Sequence, residues 1–124
     1  MTEKLSERVE RLEGPDREID AEIALAIGWT CERKRTRTRH GLWLEPGMNA
    51  KEVGYLKDPP RFTFSIDAAL TAAPMELRKS FLINATPTET QVHFFVDGDG
   101  VKGTGNAKRP EIAICAAALK SRGL

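Results

Sequence analysis

Leu5, Val9 and Leu12 stand at i, i+4 and i+7 among charged residues, which places one narrow apolar stripe along a first helix. Thr2 is positioned to cap that helix. Glu7 and Arg11, one turn apart, are positioned to pair on its wet side. Gly14-Pro15 ends this segment, because Gly suits the position past one helix and Pro the first turn of the next. Residues 1–14 therefore read as a helical arm, followed by one domain over 15–124. A second helix is expected over 15–28, with Asp16 and Glu18 in its first turn, where negative charge favours the free amides. Its buried face is Ile19, Ile23, Ala26 and Ile27. Gly28 ends it, and Trp29 covers the edge of the core.

The period then changes. Residues 33–44 alternate as a strand does, with Arg33, Arg35, Arg37, Arg39 and Trp43 on one face. The other face turns apolar at its end, so Leu42 and Leu44 are expected to point inward, with Gly41 allowing a kink. Residues 45–61 hold three prolines and two glycines without a sustained period and read as a loop, anchored by the ring of Tyr55. Ser65 caps a short helix through Ala68, Ala69 and Leu70, which Pro74 closes or kinks. Strands are expected over 80–85 and 91–96, the second with Val92, Phe94 and Val96 on one side. Asp97-Gly98-Asp99-Gly100 makes a tight turn. Residues 101–107 return as the next strand, thinned by Gly103 and Gly105. The final helix starts at Pro110, carries Glu111 in its first turn and Lys120 and Arg122 in its last, and stops at Gly123. Its buried stripe is Ile112, Cys115, Ala116 and Leu119, and Ala113, Ala117 and Ala118 permit close approach of a neighbour. The sum is an α+β fold, an antiparallel sheet of three to four strands packed against helices.

Composition narrows the function. The chain has 124 residues, 40% of them hydrophobic and 30% charged, which suits one domain with one core. Its 19 Lys and Arg against 18 Asp and Glu leave a net charge of +1, too little for a dedicated nucleic-acid coat or a membrane-surface protein. No apolar run is long enough to cross a bilayer, and the charged N-terminal stretch has no apolar signal region. A cytoplasmic setting is expected, with Cys31 and Cys115 as reduced thiols far apart in sequence.

Three stretches, DAEIALAIGW at 20–29, PPRFTFSIDAAL at 59–70 and RPEIAICAAALKSR at 109–122, occur in an order that resembles the phage ABA-sandwich domains of small phage and prophage proteins. The resemblance covers most of the chain after Asp20 and rests on caps, small residues and core positions. It implies a fold and a phage or prophage origin, hence a bacterial host cell. It carries no catalytic residues with it.

Candidate chemistry is sparse. The segment 32–40 holds five basic side chains and one carboxylate, a local charge of +4. Arg33, Arg35, Arg37 and Arg39 can track phosphates by forked guanidinium contacts. They also suit a solvated edge strand, where charge deters edge-to-edge pairing. Few aromatics accompany them, so base stacking is poorly supported. The Asp-Gly-Asp-Gly turn lacks the later ligands of a calcium loop. Cys31, His40, His93 and Cys115 lack metal-ligand spacing, and no carboxylate pair stands out as acid and base. No cofactor and no metal are expected. Phe95 faces away from Phe94, and with Trp43 and Tyr55 it forms the candidate protein interface. The leading expectation is a non-enzymatic accessory protein that binds a macromolecule, a protein first. A nucleic-acid module using the four arginines is the alternative, and an enzyme with a site assembled from scattered residues is a third class.

Overall fold

Pro110 opens the helix on which most of the molecule packs. The computed structural model describes residues 3–32, 41–49, 51, 54, 56, 58–78, 81–96 and 100–124. Its helices are α1 (Leu5–Glu10), α2 (Arg17–Ala26), α3 (Ile66–Thr71) and α4 (Pro110–Ser121), with a 3₁₀ turn at Met75–Leu77. Its strands are β1 (Thr30–Glu32), β2 (Leu42–Leu44), β3 (Phe81–Ala85), β4 (Thr90–Val96) and β5 (Gly100–Ala107). β1 and β2 form an antiparallel pair, and β3, β4 and β5 form an antiparallel sheet in sequence order. The fold is α+β, as the patterning implies.

Helix α4 is buried on every side. All eight residues at 112–119 are buried, because the sheet covers one flank while α1 and α3 cover others. A helix apolar around its whole circumference needs such a surround. The expected stripe of four residues was therefore too narrow. The sheet meets α4 through Gly103 and Gly105 of β5. A Cβ built on Gly103 would lie 2.3 Å from the Ala117 carbonyl oxygen, and one on Gly105 would lie 2.3 Å from that of Ala113. The two glycines do not merely thin the strand; they let helix and strand backbones touch. Val92 and Phe94 of β4 are fully buried beside them. Phe81 packs its ring on Phe94, with centroids 5.7 Å apart.

The caps follow the sequence in part. Ser65 Oγ accepts from Ala68 N at 3.3 Å, as expected for the start of α3. Asp16 is the cap of α2 rather than a first-turn residue, its carboxylate accepting from Glu18 N and Ile19 N. Helix α1 starts after Lys4, which makes no side-chain cap bond; Thr2 lies outside the described residues. Arg11 pairs with Glu3 at 2.6 Å rather than with Glu7, and Arg8 forks onto Glu22 of α2. On α2, Ala26 is exposed, and the buried face shifts to Ile19, Asp20, Ala21, Ile23 and Ala24.

The helical arm packs on the body. Val9 is fully buried, and Ser6 donates through both N and Oγ to the Leu124 carbonyl. Glu10 takes Lys120 Nζ at 2.8 Å and also accepts from the backbone N–H of Asn106.

Of the strand expected over 33–44, the strand part among the described residues is Leu42–Leu44. Its partner is Thr30–Glu32, antiparallel, with Cys31 opposite Trp43. The Arg33–Arg39 part of that expectation lies outside the described residues. The inward side is also reversed: Trp43 is fully buried, while Leu42 and Leu44 are half-buried. A Trp ring removes far more apolar area from water than a Leu side chain, so it takes the inner position. The stretch read as plain loop supplies a further bridge, with Leu56 and Trp43 exchanging backbone hydrogen bonds of 2.8 and 2.9 Å. The turn at 97–99 lies outside the described residues, although the strands it joins pair as a hairpin up to Val96 and Gly100.

Candidate functional site

The most chemically loaded group inside the protein is Asp20. It has no exposed surface. One carboxylate oxygen accepts from Thr63 N and Thr63 Oγ1, both at 2.8 Å, and the other takes Arg17 Nη1 at 2.6 Å. Arg17 also reaches the Pro59 carbonyl at 3.0 Å, and Asp16 N donates to Thr63 Oγ1. Burial raises the Asp20 pKa, while the Thr63 bonds and the Arg17 charge oppose that rise. Nearby, Cys115 donates through Sγ to the Phe62 carbonyl at 3.0 Å. Burial pushes this thiol well up, with Asp20 and Glu111 adding to the effect. A protonated, enclosed thiol is no nucleophile, and the carboxylate's bonds all run to the protein. The cluster ties α2 to the segment 59–63. Sequence reading missed it because Asp20 sits in a run of helix residues whose polarity pointed outward.

The exposed charges of the arm are also engaged. Lys108 Nζ meets Glu13 at 2.8 Å, which holds the Glu13 carboxyl below its usual range. His93, half-buried on the outer side of β4, lies 2.9 Å from Thr104 Oγ1 and 3.0 Å from Gln91 Oε1. Among the described residues, no group of three or more His, Cys, Asp or Glu is placed to hold a metal ion. No helix among them is long and apolar enough to cross a membrane.

One concave surface is apolar in character. A cleft of about 140 Å³ is lined by Trp29, Trp43, Leu44, Glu45, Met48, Gly54 and Leu56. β2 builds its floor, and the Leu56 bridge brings the later segment alongside. Gly28, at φ 106°, brings the chain past Pro46, whose Cγ would lie 3.3 Å from a Cβ there. Met48 is 46% and Leu56 50% exposed, so the rim is wet and apolar at once. Among the described residues, Glu45 is the single charged residue in the lining.

The residues picked from the sequence fall in different places. Trp43 belongs to the cleft, buried under it rather than presented at its rim. Tyr55 lies outside the described residues, although its chain neighbours Gly54 and Leu56 line the cleft. Phe95 is half-buried on β4, where the register shifts, and is not part of the cleft. Arg33, Arg35, Arg37 and Arg39 lie outside the described residues. Trp29 was read as covering the edge of the core, and Met48 and Leu56 were not singled out. Met48 and Leu56 sit among glycines and prolines, and lone apolar residues there were the available signal.

No family model, no curated protein and no solved structure matches this chain.

Proposed function

We propose that the chain is a non-enzymatic accessory protein that acts by binding another protein at the cleft of Trp29, Met48 and Leu56. The carrying observation is that rim. Met48 and Leu56 expose large apolar side chains around a concavity floored by a buried tryptophan. Exposed apolar surface in a concave setting is a docking feature. Methionine adds adaptability, since its unbranched thioether repacks around differing shapes. Glu45 gives the cleft one anionic edge. The matching partner surface is an apolar side chain flanked by a lysine or arginine. The protonated thiol and the bonded carboxylate of the interior support a binding role over a catalytic one. The resemblance in the three sequence stretches supports a phage or prophage origin, and with it a partner in the cytoplasm of a bacterial host.

The test is affinity capture from host lysate with the parent and with a Met48→Lys/Leu56→Lys double variant of unchanged thermal midpoint. One stoichiometric protein retained by the parent and lost with the variant is the expected result. Identical recoveries, or nothing above background, overturn the proposal.

A second reading has its own support. The arginines lie between two strands that pair antiparallel, and a two-stranded ribbon is one of the elements that enters a nucleic-acid groove. This reading requires binding that weakens steeply with salt and is lost when all four arginines become alanine.

A further inference from the structure

The two edges of the three-stranded sheet are treated differently. Along β5, Glu10 of α1 covers the edge by accepting from Asn106 N at 2.9 Å. The register shift between Phe94 and Phe95 inserts Lys102 as an extra residue on that strand, and a bulged, charged edge resists further pairing. Among the described residues, none of these devices is found on β3. Its sequence, Phe81-Leu82-Ile83-Asn84-Ala85, holds no charge and no proline. No described strand lies beyond it.

The orientation of its backbone groups follows from the β3–β4 turn. Thr86 N donates to Glu89 O at 2.8 Å, which makes 86 and 89 a hydrogen-bonded pair. Antiparallel ladders alternate, so Asn84 and Leu82 turn their N–H and C=O groups towards β4. Phe81, Ile83 and Ala85 turn theirs towards the open side. Leu82 is 51% and Ile83 37% exposed, on opposite faces of the strand.

We propose that β3 pairs antiparallel with β3 of a second copy of this chain, about a two-fold axis through Ile83. That register sets Phe81 opposite Ala85, Ile83 opposite itself and Leu82 opposite Asn84. Every outward amide then meets an outward carbonyl, because the outward residues of one copy oppose the outward residues of the other. The two sheets become one of six strands, three from each copy. In sequence the strand's flanks are opposite in charge, with Arg78 before it and Glu89 after its turn, so antiparallel self-pairing brings the basic flank of one copy towards the acidic flank of the other. The chain's own β3 supplies an uncharged centre and oppositely charged flanks that suit this register, which argues for a second copy as the occupant. A five-residue strand buries little area, so the dimer is concentration-dependent rather than obligate. This interface is independent of the cleft, and its failure leaves the cleft proposal untouched.

The test combines mass and amide exchange on the full chain. Sedimentation is expected to show the 13.8 kDa monomer at low concentration and twice that mass at high concentration. Over the same range, exchange at the amides of Phe81, Ile83 and Ala85 is expected to slow by at least roughly tenfold. Ile83→Lys places two cations on the axis and is expected to abolish both effects; Leu82→Lys tests the other face if the first variant does not fold. Monomer mass up to millimolar protein overturns the proposal. So does a dimer in which those three amides exchange at the monomer rate, or an edge found occupied by a strand of another protein.

Discussion

Asp20 carries a charge into a place without water, and its neighbours determine what that costs. Asp20→Ala leaves the Thr63 amide without its acceptor and its hydroxyl with only the Asp16 carbonyl at 3.3 Å, with an expected loss of about 1–3 kcal/mol in urea unfolding. The pH dependence has a definite sign. Because folding raises the Asp20 pKa, the folded state binds a proton more readily than the unfolded chain. Asp20's contribution is therefore most favourable below the ordinary carboxylate range and is lost as pH rises through the elevated folded value. Measured against Asp20→Asn, which does not titrate, the parent should gain relative stability as pH falls through that interval. A constant difference would show that Thr63 and Arg17 cancel the effect of burial. Cys115 gives a second check at this scale. Its raised pKa and buried Sγ predict no reaction with a thiol reagent until denaturant is added. Single residues were legible in the sequence where the local chain decides their role, as with Ser65 at its cap. They were not where a distant segment does: nothing near Asp20 announces Thr63, 43 positions away.

Elements with a clear period came through best. α4, β4 and β5 lie close to where Pro110, the Val92–Phe94 alternation and the Gly103-containing return strand put them. The β1–β2 pair did not, because a three-residue strand is too short for alternation to show which side faces inward, and Trp43 outweighs Leu42 and Leu44. Of the candidate site, Trp43 was named beforehand as an interface residue and Trp29 as the edge of the core, while the rim residues Met48 and Leu56 gain meaning from a bridge between segments. The helix–sheet contact is the place to test element packing. Gly105→Ala forces a methyl against the Ala113 carbonyl, so the two backbones must part. The expected loss is about 1–3 kcal/mol or more, read as a lower denaturant midpoint. A variant as stable as the parent would mean the helix can retreat freely. Glu10→Gln should be milder, weakening the Lys120 pair while still offering Asn106 an acceptor. Glu10→Ala should cost more, since it removes both.

For the whole molecule, the near-neutral charge hides an uneven layout. In the arm, Arg8 pairs with Glu22, Glu10 with Lys120 and Glu13 with Lys108. The basic surplus at 32–40 sits in another part of the chain. A protein-binding role through the cleft predicts that added salt changes partner capture little, because the contact is mainly apolar. If capture instead collapses with salt, the arginines, not Met48 and Leu56, carry it. One consequence of the all-round burial of α4 concerns the order of events during synthesis. The sheet, α1 and α3 are all translated before the helix that joins them, and Ser6 waits for Leu124 across 118 positions. Until that helix has been made, Val92 and Phe94 lack the element that buries them, and Phe94 has the Phe81 ring against it. The nascent chain must stay soluble without a core, and holding chaperones should bind it longest when translation stalls before residue 110.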